Sequence, residues 1–175
     1  RTRLAARGLA RLSTTQKNVA LHHLADALVA DQKAILAANL SDVESANAAG
    51  LAPAMIDRLM LNEVRLGDIA HNVRLVADLP DPVGEVFEES TQPNGLHIRK
   101  QRVPLGVLGV IYEARPNVTI DVASIAIKSG NGAILRGGSE TLNTNRAMIA
   151  ALQKALTASD VPADVIQFID SPDRA

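Results

Sequence analysis

The sequence has 175 residues, 47% of them hydrophobic and 21% charged, with a formal net charge of −1. That length and apolar content can bury a sizeable core, while the near-zero charge gives no electrostatic footprint for nucleic acid or an anionic membrane. Aromatic residues are only 2% and tryptophan is absent, which argues against a base-stacking platform; the absence of cysteine excludes a disulfide framework. No apolar run approaches the roughly eighteen residues of a membrane span, and the expectation is a soluble, cytoplasmic protein.

Residues 1–79 read as a helical layer. Arg3, Arg7 and Arg11 recur at i, i+4 spacing, which makes them one solvated helix face more simply than part of a transit peptide. Ser13 with Gln16 forms a capping-box pattern, and Leu21, Leu24 and Leu28 follow at helical spacing. Leu36, Leu40 and Val43 continue an apolar stripe after Asp31, and Gly50 followed by Pro53 marks a stop and restart. Met55 and Leu59 fall in a short helix before Asn62. Leu66, Ile69, Val73 and Val76 then form the cleanest periodic face, which Pro80 and Pro82 end.

Residues 80–103 change period. VGEVFEES and GLHIRKQRV flank Gln92, Pro93, Asn94 and Gly95, a strong hairpin signal whose Glu-rich and Arg/Lys-rich arms can pair charges across strands. Such an arm is poorly stable alone and is expected to pack on another domain or subunit.

Residues 104–175 alternate strand and helix: VLGVIYEA, TIDVASIAIKSG, GAILRG, a helix from Ser139 to about Ala158, then DVIQFID. Nearly continuous apolar strands joined by helices imply parallel pairing in half of a doubly wound α/β sheet, which binds ligands beyond the carboxyl ends of its strands. The final SPDRA gives the last strand no following helix, so the domain is expected to continue, and the missing initial Met hints at trimming.

Two turns, one at Arg115–Asn117 and one at Arg136–Ser139, fall at those carboxyl ends. In the second, Gly137 and Gly138 allow close backbone approach, Ser139 can cap the next helix, and Arg136 adds a positive fork suited to a phosphate; the alternative is an ordinary turn with a solvated Arg. A Walker A loop is not formed, since its Lys position is Gly138. The G-x-G-x-x-G fingerprint is missing too, and Gly106 and Gly109 are expected to permit close packing within the first strand. In the first turn, Pro116 holds Arg115 extended, and Asn117 is either a helix N-cap or an oxyanion-stabilising amide. Arg115 can bind a substrate anion or pair with Glu113. His22, His23, His71 and His97 have no metal-ligand spacing, and no metal is expected.

The segment VPLGVLGVIYEARPNVTIDVASIAIKSGNGAILRGGSE closely resembles gamma-glutamyl phosphate reductase, also called glutamate-5-semialdehyde dehydrogenase, of the aldehyde dehydrogenase superfamily. The likeness extends to ILAANLSDVESANAAGL, MIDRLML, DPVGEV and VIQFIDSPDRA, so nearly the whole chain is covered. The resemblance implies reduction of L-glutamyl 5-phosphate to L-glutamate 5-semialdehyde and phosphate with NADPH, in proline biosynthesis, through a thioacyl enzyme on a cysteine. It implies an oxyanion role for Asn117, and cofactor contacts for Ala114, Arg115, Pro116, Arg136, Gly137, Gly138 and Ser139. Ser139 stands where NAD-preferring relatives often carry Glu, and the loss of that carboxylate fits a 2′-phosphate.

The resemblance further implies a homo-oligomer as the full-length enzyme and substrate supply from glutamate 5-kinase. Family members are more than twice as long and carry the nucleophilic Cys elsewhere, so the chain is read as an N-terminal portion, inactive alone. Two other readings stay open: a non-catalytic nucleotide-binding or interaction domain, and another aldehyde or acyl-phosphate dehydrogenase.

Overall fold

The computed structural model describes residues 1–171, and residues 172–175, with most of the SPDRA tail, lie outside them. Five helices lead the chain: α1 Thr2–Leu9, α2 Thr14–Ala30, α3 Gln32–Ala48, α4 Pro53–Leu59 and α5 Glu63–Asp78. The hairpin β1 Val86–Thr91 and β2 His97–Gln101 follows, then β3 Val107–Ile111, α6 Pro116–Lys128, β4 Gly132–Arg136, α7 Leu142–Ala158 and β5 Ile166–Phe168. The architecture is α/β, with a helical layer, an antiparallel hairpin and a parallel three-stranded sheet in the order β3-β4-β5.

Local sequence explains most boundaries. Ser13 and Gln16 form the reciprocal capping box, and the Asn62 side chain accepts from the Arg65 N–H at the start of α5. The chain turns at Asp31, which separates α2 from α3. Arg3 and Arg7 of α1, and Arg11 in the turn after it, are exposed, while Thr2, Ala6 and Leu9 are buried. The hairpin turns at Gly95 with φ +84° and carries the expected cross-strand pairs, Lys100 with Glu88 and Arg102 with Glu85, both at 2.6 Å. Every residue of its two strands is exposed.

The core lies between the sheet and two helical tiers. Leu21, Leu24 and Leu28 of α2 meet Leu66, Ile69 and Val73 of α5, and these pack with Ile120 and Ile127 of α6 and Met148, Leu152 and Leu156 of α7. At about 1.5–3 kcal/mol for each fully buried large aliphatic side chain, this seam is the principal stabilising feature.

Three expectations are corrected. The buried face of α3 is Ile35, Asn39, Asp42 and Ala46, while Leu40 is 58% exposed. Two polar side chains sit inward because they bond other elements: Asn39 Nδ2 donates to Leu59 O at 2.8 Å, and Asp42 receives the Thr144 N–H at 2.8 Å. Second, β3 is only half-covered, with Ile111 82% exposed, because β3 is an edge of this sheet and pairs with β4 alone among the described residues. Third, close packing does not explain Gly106 or Gly109, since a Cβ at either would meet nothing within 4 Å. Gly106 is instead needed for its backbone, at φ +115°, where a side chain is strained.

Candidate active site

The register of the parallel sheet builds the site. Ile111 lies beside Arg136, and the Tyr112 N–H extends the ladder to Arg136 O at 3.0 Å. The turns after β3 and β4 therefore leave the sheet side by side, at the carboxyl ends of neighbouring parallel strands. Between them and α4 lies a cavity of about 540 Å³, within the range of small-molecule sites. Ala114, Arg115, Arg136, Gly137, Gly138 and Ser139 all line it, with Arg58 of α4 across from them.

Pro116 and Asn117 do not line that cavity. They face an adjoining depression of about 360 Å³, bounded by α4, α5 and the first turns of α6, while Arg115 and Arg58 border both spaces. Asn117 is the second residue of α6 and not its N-cap, which is Arg115, with Pro116 at the first helical position. Its amide is fixed otherwise: Nδ2 donates to Asp121 Oδ2 at 2.9 Å, one helical turn on. That bond uses one of the two amide N–H groups and leaves the second for another acceptor. Burial pushes the Asp121 carboxyl above its usual range, only partly opposed by the Asn117 bond.

The two glycines are explained by the protein's own packing. A Cβ on Gly137 would collide with Asn145 Nδ2 and stand 3.1 Å from the Tyr112 ring, and one on Gly138 would meet Glu140 Oε2 at 2.6 Å and Ala114 N at 3.1 Å. Their missing side chains thus let the second turn press against the first. Ser139 does not cap the following helix: a 3₁₀ turn, Ser139–Thr141, intervenes, and the start of α7 is capped from another element. Asp42 of α3 receives Asn143 Nδ2 at 2.8 Å, the Thr144 N–H at 2.8 Å and Thr144 Oγ1 at 2.6 Å. No ion pair joins Arg115 to Glu113 among the described residues; the link between them is the Arg115 N–H to Glu113 O at 2.8 Å.

A buried polar chain that sequence reasoning missed ties the two turns together. Thr119 Oγ1 donates to Asn145 Oδ1 at 2.7 Å, so the Tyr112 hydroxyl at 2.6 Å must donate to Thr119. Asn145 Nδ2 then donates to Thr141 Oγ1 at 3.1 Å, and Thr141 Oγ1 to Gly138 O at 3.2 Å. Thr119, Thr141 and Asn145 are all fully buried. The only sequence signal was a set of polar residues on the inner faces of α6 and α7. Burial raises the Tyr112 phenol above its ordinary value.

No group of three or more acidic, His or Cys residues able to hold a metal occurs among the described residues, and no helix is long and apolar enough to cross a membrane.

No family model matches the chain. Curated relatives do: gamma-glutamyl phosphate reductase of Opitutus terrae is 53% identical over 175 residues, all of this chain and 41% of the relative. Among solved structures, gamma-glutamyl phosphate reductase of Thermotoga maritima superposes with a TM-score of 0.96 at 41% identity, over 99% of this chain and 42% of that one. A probable aldehyde dehydrogenase of Listeria monocytogenes, 17% identical, shares the fold with a TM-score of 0.73 over 98% of this chain and 35% of its own. The chain thus spans about two-fifths of the length of the relatives it matches. With an aldehyde dehydrogenase-like fold and about half its residues shared with each of several curated relatives, the chain is closely similar to an N-terminal part of gamma-glutamyl phosphate reductases.

Proposed function

We propose that the chain supplies the cofactor-binding turns and the oxyanion donor of a reductase that converts L-glutamyl 5-phosphate to L-glutamate 5-semialdehyde and phosphate with NADPH. The observation that carries this reading is the pairing of Ile111 with Arg136, which sets two turns around one cavity in a chain of this ancestry. The cavity suits a dinucleotide: arginines border it, and glycines rather than side chains form part of its wall. NADPH supplies the hydride for such a reduction.

The chain's own residues bind and orient. Arg136 and Ser139 would take the 2′-phosphate, Ala114, Arg115, Gly137 and Gly138 the rest of the nucleotide, and Pro116 would orient the turn by fixing Arg115 as extended backbone. Asn117, held by Asp121, would offer its second N–H to the oxygen of the attacked carbonyl. The 175 residues contain no cysteine, so the thiolate would come from outside them. In this reading residues 1–79 and 104–175 belong to the cofactor domain, and the exposed hairpin within 80–103 serves contacts between domains or subunits of a homo-oligomer. The reading also includes a cytoplasmic setting and substrate supply by glutamate 5-kinase.

Arg136→Ala tests the cofactor assignment in a full-length reductase carrying this chain. NADPH affinity should fall at least about tenfold with NADH affinity nearly kept, the scale of one charge-assisted contact. Equal weakening of both would remove Arg136 from the 2′-phosphate.

A further inference from the structure

The second depression carries charges of both signs in an ordered arrangement. On α5, Arg65, Asp68 and Asn72 recur at spacings of three and four and share one face; on α6, Asn117 and Asp121 do the same. Arg65 is committed, donating to the carbonyls of Asp57 and Met60 at 2.6 and 2.8 Å and to Asp57 Oδ1 at 2.8 Å. That clamp, with Asn39 bonded to Leu59 O and the Leu61 N–H, fixes α4 and so sets Arg58 at the rim. Among the described residues no hydrogen bond or ion pair engages the side chains of Arg58, Arg115 or Asp68. Asp121 is half-buried, and its carboxylate receives one N–H, from an uncharged amide.

A ligand must satisfy both signs at once. A phosphate alone would meet Arg58 and Arg115 but face Asp68 and Asp121. A simple cation would have the reverse difficulty, and a carboxylate left half-buried with no cation is poorly compensated. An adjacent carboxylate and ammonium match the set. We infer that this depression receives the α-amino-acid head of the substrate, its carboxylate against Arg58 and Arg115 and its ammonium against Asp121 and Asp68. The inference rests on the reductase reading and deepens it: Arg115 and Asn117 border the same space, so one substrate would present its head here and its reacting carbonyl to the amide.

The test uses a full-length reductase carrying this chain, assayed for phosphate-dependent NADPH formation with glutamate 5-semialdehyde, with 5-oxopentanoate, which lacks the ammonium, and with 4-aminobutanal, which lacks the carboxylate. Asp121→Asn keeps an acceptor for Asn117 but removes the charge. It should lower kcat/KM for the two ammonium-bearing substrates about 10- to 100-fold relative to that for 5-oxopentanoate. Arg58→Gln should show the complementary pattern, lowering kcat/KM for the two carboxylate-bearing substrates relative to 4-aminobutanal, and the KM for NADP⁺ should be unchanged in Asp121→Asn, which lies outside the nucleotide cavity. Losses uniform across the three substrates, or no loss, would overturn the inference alone. No phosphate-dependent turnover of glutamate 5-semialdehyde by the unsubstituted enzyme would overturn the reductase reading and this inference with it.

Discussion

Thr119→Val probes the buried chain that joins the two turns. Valine matches threonine in shape but neither accepts from the Tyr112 hydroxyl nor donates to Asn145 Oδ1, so bonds of 2.6 and 2.7 Å are both lost. Asn145 is fully buried, and leaving its acceptor unpaired costs about 1–3 kcal/mol. Tyr112 is half-buried and its hydroxyl can turn, so its loss should be nearer 0.5–1 kcal/mol. The sum, roughly 1.5–4 kcal/mol, is a large part of a typical domain's 5–15 kcal/mol and is readable by urea denaturation followed by circular dichroism. A double-mutant cycle isolates the contact: Tyr112→Phe should cost about 1 kcal/mol in the parent and close to nothing in the Thr119→Val background. A Thr119→Val protein within 0.5 kcal/mol of the parent, or an additive cycle, would refute the network.

Other substitutions address neighbouring parts of the account. Asp42→Ala removes the acceptor at the start of α7 and should cost about 2–4 kcal/mol in the same assay, with Asp42→Asn intermediate because it keeps an acceptor but not the charge. Asp81 is pushed up by burial, yet bonds from Lys17, the Val83 N–H and Thr14 hold its carboxyl below the usual range. A depressed folded value means its contribution is present above the unfolded pKa of about 3.9 and is lost as pH falls through the folded value; Asp81→Asn should flatten that acid limb. The same variant leaves Lys17, 2% exposed, without its partner and should cost about 3–5 kcal/mol at neutral pH. Tyr112 is the only tyrosine and there is no tryptophan, so ultraviolet titration should show one phenol ionising above its ordinary value, with stability falling as pH rises from the unfolded value of about 10. A phenol titrating at or below 10 would contradict its burial.

Much of this was legible in the sequence where a residue's reason is local. The Ser13 and Gln16 box, the Gly95 turn and the apolar seam of α2 and α5 depend on neighbours within a few residues. The turns were legible as a pair because YEARPNVT and ILRGG stand at strand ends that parallel pairing brings together. What escaped was set at long range. On α3 the apolar residues Leu36, Leu40 and Val43 marked the wrong face, because the inward turn of Asn39 and Asp42 depends on α4 and α7 arriving from elsewhere in the chain. Gly137 was read as room for a ligand, whereas its space is taken by Tyr112 and Asn145, twenty-five and eight residues away in sequence. The second depression was invisible for the same reason, because its charges lie on three helices and a turn.

The central claim is that Asn117, oriented by Asp121, stabilises the developing oxyanion of a reductase whose nucleotide lies in the neighbouring cavity. The direct measurement is steady-state turnover of glutamate 5-semialdehyde with NADP⁺ and phosphate by a full-length reductase carrying this chain, with and without Asn117→Ala. The account predicts kcat lower by about 10²–10³-fold, the cost of one oxyanion donor, with NADP⁺ affinity within about twofold. Turnover left unchanged, or lost only through weaker NADP⁺ binding, would contradict it.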